Sequence, residues 1–229
     1  MKIGFIGLDL PEGKIKYIDD KLIALEEKCE PNKVSPFFVE FIKEQFAQAD
    51  AIAVAKEKIL DLLIPDMEKC ESRLSNTDDA EEKEFLKKCL SHLEKETPLC
   101  DTEFSENEQK YLKVLMPLSA KPVIVIDDES ETNGIIKKSL EKSGIIFFYT
   151  AGKDEVHAWP VNADSDIVAC AGKIHTDLAR GFIKADIVSF EDFMKCHNMN
   201  DAKSKGIAKL VNRDYIIKEG DIIEIRFNI

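Results

Sequence analysis

Phe147-Phe148-Tyr149-Thr150-Ala151-Gly152-Lys153-Asp154-Glu155-Val156-His157-Ala158-Trp159-Pro160-Val161 is the stretch that decides the fold. Phe147–Thr150 reads as a strand, Ala151–Asp154 as a turn, and Glu155–Val161 as a second strand alternating in period two. Beyond it, Ile174–Arg180 is a short helix or turn stopped by Gly181. Phe182–Val188 is a third strand, and Ser189 caps a helical turn at Phe190–Cys196. A turn at Lys218-Glu219-Gly220 introduces the last strand, Asp221–Ile229. Strands around one main helix predict a small α+β sheet domain over residues 147–229.

Outward from this domain, composition narrows the choices. A chain of 229 residues with 44% hydrophobic and 33% charged residues has room for one or two domains with a sizeable core. No apolar run approaches the roughly 18 residues of a membrane span, and Met1–Gly7 lacks the layout of a signal peptide. Six cysteines lie far apart with no Cys-x-x-Cys pair, which favours a reduced, cytoplasmic setting with free thiols. Acidity is uneven: residues 147–229 hold 11 Lys+Arg against 13 Asp+Glu, whereas residues 1–146 hold 21 against 31. The front of the chain is therefore a poor match for bare nucleic acid, and only the tail is near neutral.

The chain opens on an apolar strand, Lys2–Leu8, that ends in glycine like the first strand of a P-loop fold. A phosphate loop needs G-x-x-x-x-G-K-[ST], so that backbone N–H groups wrap the phosphates, a lysine meets their charge and a hydroxyl holds Mg²⁺. Gly7-Leu8-Asp9-Leu10-Pro11-Glu12-Gly13-Lys14-Ile15 has five residues between its glycines, and Ile15 replaces the hydroxyl. Asp9 and Glu12 would also repel phosphate. Gly7, Gly13 and Lys14 are thus weak nucleotide-binding candidates beside the plainer reading of a strand and loop that bind nothing.

A helical region follows. Ile59, Leu62, Leu63, Met67, Cys70 and Leu74 recur at three and four, with Pro65 expected to kink or break the helix. Thr77 or Asp78 caps a second helix carrying Phe85, Leu86, Cys89, Leu90 and Leu93. Ser105-Glu106-Asn107-Glu108 reads as a capping box for a third, carrying Tyr111, Leu112, Leu115 and Met116. The first two form an antiparallel hairpin, the insertion as a whole covering about residues 57–117. Lys121–Ile126 is another strand, and Asn133–Gly144 another helix.

YTAGKDEVHAWPV, GKIHTDLARGFIKADIVSFEDF and DYIIKEGDIIEIRFNI resemble the C-terminal TGS domain of the YchF/Obg-like P-loop ATPase family. Lys16–Leu25 with Pro31–Pro36 and Val39–Phe41 resembles the segment after that family's first switch, and MEKCESRLS its coiled-coil insertion. The resemblance implies a remnant P-loop-type α/β core with a helical hairpin over residues 1–146, followed by a β-grasp, ubiquitin-like TGS domain over 147–229. It also implies a degenerate, truncated member. The phosphate loop is missing; Phe41 runs into Ile42–Phe46 where Asp-x-x-Gly should follow; Asp127-Asp128-Glu129-Ser130 replaces Asn-x-x-Glu.

No other catalytic set emerges. Cys196 and His197 are adjacent and point apart, no G-x-S-x-G elbow exists, and no three ligands converge with metal spacing. The expectation is a non-catalytic binding protein with no resident cofactor, its partner RNA, the ribosome or another protein, and no membrane. The alternative is a residual ATP- or GTP-binding protein, with Mg²⁺, or a weak NTPase. By the TGS resemblance, candidate contacts are Lys173, His175, Arg180, Lys184, Lys209, Arg213 and Arg226, with His157 and Trp159 for stacking. Against these stand a Trp159 packed in a core, and Arg180 and Lys184 paired with Asp177 and Asp186.

Overall fold

The computed structural model describes residues 1–127 and 131–228. Strand β1 (Lys2–Ile6) leads through a loop to β2 (Gly13–Lys16), helix α1 (Asp20–Cys29), and strands β3 (Lys33–Ser35), β4 (Phe38–Lys43) and β5 (Ala51–Ala55). Helices α2 (Ile59–Asn76), α3 (Ala80–Leu93) and α4 (Glu106–Leu115) precede β6 (Val123–Ile126) and α5 (Thr132–Lys142). Then come β7 (Ile145–Ala151), β8 (Glu155–Asn162), α6 (Ile167–Ile174), α7 (Thr176–Arg180) and β9 (Phe182–Val188). Helices α8 (Phe190–Phe193) and α9 (Met199–Ser204) and strands β10 (Lys209–Val211) and β11 (Ile222–Phe227) complete the order.

Two units divide the chain: residues 1–15 with 39–143, and residues 16–38 with 144–229. The division expected at 146/147 falls three residues earlier, and residues 16–38 group with the C-terminal domain. Residues 127–130 were to mark the missing base-reading motif; Asp128, Glu129 and Ser130 lie outside the described residues, as does Ile229.

The first unit is α/β. Its five-stranded sheet has the order β2-β4-β1-β5-β6, with β1 parallel to β4 and β5, and β5 parallel to β6. Every residue of β5 is buried, as a continuous apolar run in a parallel sheet should be. Helix α2 continues through Pro65 without a break. Its Ile59, Leu62, Leu63 and Cys70 pack with Phe85, Leu86, Cys89 and Leu93 of α3 in one core. Asp79, not Thr77 or Asp78, caps α3, accepting from the N–H groups of Glu81 and Glu82. The capping box at Ser105 and Glu108 forms as expected. Asp66 is fully buried and accepts the N–H groups of Leu118 (2.8 Å) and Ser119 (2.7 Å), which fixes the return of the chain toward β6.

The second unit holds a six-stranded sheet, β10-β9-β11-β7-β8-β3. Its central pair, β11 and β7, is parallel, while β7–β8, β11–β9 and β10–β9 are antiparallel. With α6 across one face, strands β7 to β11 make the expected β-grasp arrangement. Sequence reading missed α6, because Ile167–Ile174 is short and apolar almost throughout; the cap at Asp166, which accepts from the N–H of Ala169, was the available signal. Phe148, Ile167, Cys170, Ala171, Phe182 and Ile187 form the core on that face. Burial pushes the Cys170 thiol up to about 12, in keeping with a packing role.

Residues 16–38 supply what the C-terminal domain alone lacks. Strand β3 adds to the sheet edge parallel to β8, in register Lys33–Glu155, Val34–Val156 and Ser35–His157. Helix α1 covers the face opposite α6, against β7 and β8, with Leu22 and Leu25 buried. Asp19 holds this arrangement at its centre. Its carboxylate caps α1 through the N–H groups of Lys21 and Leu22 and accepts the Tyr149 hydroxyl at 2.7 Å. Burial raises the Asp19 pKa above the ordinary carboxylate value, against the lowering effect of Tyr149 and the capped N–H groups.

Candidate functional site

In an open parallel sheet, ligands bind outside the carboxyl ends of the strands, at the point where the strand order reverses. In the first unit that point lies between β1 and β5. The residue there after β1 is Gly7, in the left-handed region at φ 71°. A Cβ placed on it would lie 2.6 Å from Lys58 Cγ and 2.8 Å from the Ala55 Cβ. The segment after β5 therefore packs directly on the turn that ends β1. Nearby, Lys56 following β5 pairs with Asp127 following β6 at 2.8 Å, and Lys58 pairs with Asp61 at 3.2 Å.

Residues 7–12 form no helix, and Gly13–Lys16 is a strand. Lys14 is exposed on β2, and Ile15 follows it in the same strand. Gly13 has φ 98° with nothing within 4 Å of a Cβ placed there. The three weak nucleotide candidates thus sit on a turn, a strand start and an exposed strand position, and the loop that joins them leads into a strand instead of a helix.

The C-terminal candidates divide by strand register. Phe148 faces α6 and is paired with Trp159, so Glu155, His157 and Trp159 of β8 lie on that face. Lys209 is paired with Ile187 and shares the same face. Lys173, His175 and Arg180 lie on α6, α7 and the junction between them. Lys184 and Arg226 are paired with each other and lie on the opposite face with Asp186. Strands β8 and β10 stand four strand spacings apart, about 19 Å. The nine residues therefore form several groups.

Their bonding separates them further. The Trp159 ring stacks on His157 (3.6 Å between centroids) and on Phe148 (6.2 Å), and its N–H donates to Thr150 Oγ1 at 3.1 Å. This half-buried indole thus has two protein rings as neighbours. Arg180 pairs with Asp177 at 2.8 Å, as the plain reading expected. Asp186 pairs with Arg226 and Lys203 instead of Lys184. Burial pushes the Asp186 carboxyl up, but hydrogen bonds from Arg226 and Lys203 outweigh it and hold the pKa below the usual value. Arg213 donates to the Phe182 carbonyl and lies over its ring. His175 accepts the Asp177 N–H through Nδ1 as the cap of α7. Lys173, Lys184 and Lys209 are exposed and make no ion pair among the described residues.

Sequence reading missed one polar hub. Glu155 Oε1 accepts from Lys33 Nζ (2.8 Å) and Ser35 Oγ (2.5 Å), and His157 Nδ1 lies 3.5 Å away. Burial lowers the His157 pKa, partly offset by Glu155. No local signal joins residues 33–35 to residues 155–157; only the β3–β8 pairing does. The hub fastens the edge strand and leaves no group free for nucleophilic work, since serine and histidine converge on the carboxylate instead of on each other. Among the described residues, no group of three or more His, Cys, Asp or Glu is placed to hold a metal ion, and all six cysteines are free thiols.

The geometry defines a two-part protein: a parallel α/β unit carrying a helical hairpin, and a β-grasp unit extended by residues from the front of the chain. Residues 145–228 match the YchF-GTPase_C family model, described as a protein of unknown function. The ribosome-binding ATPase YchF of Bacillus subtilis is 27% identical over 237 residues, covering 74% of this chain and 65% of that protein. Obg-like ATPase 1 of Homo sapiens is 38% identical over 124 residues, covering 54% of this chain and 28% of that protein. The chain thus spans less than two thirds of the length of these relatives. The Schizosaccharomyces pombe YchF GTPase shares the fold, with a TM-score of 0.78 at 17% identity over 99% of this chain and 97% of that one. The resemblance to YchF and Obg-like proteins read from the sequence is borne out.

Proposed function

We propose that this chain is a non-catalytic binding protein, a shortened relative of YchF-type ATPases that associates with the ribosome or its RNA through its TGS-like domain. The observation that carries the reading is the packing of Ala55 and Lys58 against Gly7 at the switch point of the first sheet. A phosphate chain needs space there, a row of free N–H groups and a cation. The residues present do not fit one: the space holds aliphatic carbon, a strand follows the loop, and Lys58 is paired with Asp61. ATP or GTP with Mg²⁺ has no fitted seat, and no catalytic step is assigned.

The ribosomal part of the proposal rests on the B. subtilis relative, whose name describes it as ribosome-binding, and on Lys173, Lys184 and Lys209, which have cations available for phosphate. Phosphate contacts of this kind supply affinity and make it fall with salt. A cytoplasmic setting accords with the free thiols, and no helix among the described residues is long and apolar enough to cross a membrane.

Two measurements test the reading on the full chain. Titration with fluorescent ATP and GTP analogues, with and without Mg²⁺, should show no saturable binding; micromolar affinity would restore the nucleotide-binding alternative. Co-sedimentation with ribosomes should fall with rising salt and weaken in a Lys173→Glu/Arg180→Glu double variant. A separate Lys184→Glu variant then tells which face of the sheet makes the contact. Sedimentation unchanged in both variants would remove the TGS-like domain from the proposal.

A further inference from the structure

In the first unit β4 and β5 flank β1 and run parallel to it, so the chain must cross β1 between them. Such crossovers ordinarily take a dozen or more residues, usually with a helix. Here residues 44–50 suffice: the chain leaves β4 at Lys43, level with Phe5, and enters β5 at Ala51, level with Ile3. The Glu44 N–H donates to the Phe5 carbonyl at 3.0 Å and the Asp50 N–H to the Lys2 carbonyl at 2.8 Å. Between these ends the connection lies on β1 at Gly4, where an added Cβ would come 3.1 Å from Phe46 Cδ1 and 3.1 Å from the Ala49 Cβ. Glu44 is left-handed at φ 55°, a conformation that persists in a side-chain-bearing residue only where its surroundings hold it.

One side chain from outside grips this strap. Half-buried Lys121 donates through Nζ to the carbonyls of Phe46 (2.8 Å), Ala47 (2.9 Å) and Ala49 (2.7 Å). An ammonium has three N–H donors, and here each meets its own carbonyl. The base of the side chain is fixed as well. The Lys121 N–H donates to the Leu118 carbonyl at 3.1 Å, and the carbonyl of the next residue, Pro122, accepts the Ile52 N–H at 2.8 Å. All three acceptors on the ammonium are neutral amides, so their dipoles alone answer its charge, and bonds to a charged donor are the strong kind.

We infer that residues 46–49 form a primary-ammonium site whose resident ligand is the Lys121 side chain, and that this ligation, not packing by the lysine stem, keeps the strap on β1. Lys121 is thus a positioning residue, and the β4–β5 connection is a fixed element of the sheet. The carbonyls select N–H donors as well as charge. A primary alkylammonium ion supplies both and is the class of ligand the site takes when the side chain is cut back; a quaternary ammonium carries the charge without a donor and is not held. The site stands apart from the ribosomal reading and from the nucleotide titration, so either can fail without the other.

The test is amide hydrogen exchange on the full chain, read at Glu44, Gln48, Ala49 and Asp50, whose N–H groups are bonded within or at the ends of the strap. Lys121→Ala should speed exchange there at least about tenfold. Adding n-propylammonium, which replaces the missing part of the side chain, should slow it again at least about threefold at about 0.3 M. Tetramethylammonium at the same concentration should not. Lys121→Met keeps the stem and the packing but no donor; it should exchange as fast as Lys121→Ala and ignore n-propylammonium, because its own stem fills the path. Wild-type exchange in either variant would overturn the inference by assigning the strap to packing. So would an equal response of Lys121→Ala to the two cations, or no response to n-propylammonium up to about 1 M.

Discussion

The carboxyl ends of the strands in the first unit and the two faces of the sheet in the second show opposite treatments of polar surface. Beside β1 the chain is closely packed: Gly7 backs onto Ala55 and Lys58, and the lysines nearby are tied to Asp127 and Asp61. Across the second sheet Arg226 and Lys184 stay on the surface, one locked and one without an ion pair among the described residues. Arg226 is committed to Asp186, whereas Lys184, paired with Arg226 in register, has no ion partner among the described residues. A parallel sheet can vary the loop after β1 and keep its strands, because its stability lies in buried residues such as Ile3, Ile52 and Val54 rather than in that loop. A sheet that offers its faces to a partner must keep some charge unpaired.

The largest effect should come from the carboxylate that seats residues 16–38. Asp19→Ala removes a helix cap and orphans the buried Tyr149 hydroxyl, for a loss of about 2–4 kcal/mol in urea denaturation. Asp19→Asn keeps the capping oxygen and can turn its amide N–H toward the Tyr149 oxygen, so it should cost less. Equal losses in the two variants would mean that packing by Leu22 and Leu25, and not this carboxylate, holds α1 in place.

Next comes Gly7→Ala. A left-handed residue gains a Cβ that meets the Ala55 side chain, so the first unit should lose about 1–3 kcal/mol. An unchanged midpoint would show that the turn relaxes, and would reopen the crevice as a binding place.

A smaller contrast separates locked from free cations. Arg226→Ala should lower the denaturation midpoint, because it leaves the buried Asp186 with Lys203 alone; Lys184→Ala should leave the midpoint unchanged. If the two behaved alike, bonding pattern would be no guide to which cations are available to a partner.

The smallest effect concerns pH. The folded His157 pKa lies below its ordinary value because burial disfavours the charged ring. The folded state therefore favours the neutral form, and this contribution is complete above the unfolded pKa near 6.5 and is lost as pH falls toward the folded value. Comparing the stability slope between about pH 7.5 and 5.5 in the wild type and in His157→Gln checks it; the variant should flatten the slope.

The sequence was legible where period and caps agree. Phe182–Val188 appears as a strand with the expected bounds, and the capping box at Ser105 and Glu108 places α4. The spacing from Gly7 to Gly13 departs from that of a phosphate loop, and in the structure Gly7 packs on Ala55 and Lys58. Helix α6 escaped because a short apolar segment reads alike as strand or buried helix. The candidate cations were identified by type, but type says nothing of pairing: the plain alternative paired Asp186 with Lys184, and register and reach gave it Arg226 and Lys203.

By itself, then, the sequence determined the kind of each long element, the break in the phosphate-loop spacing and the resemblance of the C-terminal residues to YchF-type proteins, all properties of neighbouring residues. Only the tertiary structure decided that residues 16–38 belong with the C-terminal sheet, that β3 pairs with β8, and which cations are left free. Those facts depend on hydrogen bonds and ion pairs between residues up to 198 positions apart, as in Lys21 to Glu219. No local pattern records such a pairing, because it is fixed by which buried polar groups can find partners once the cores have closed.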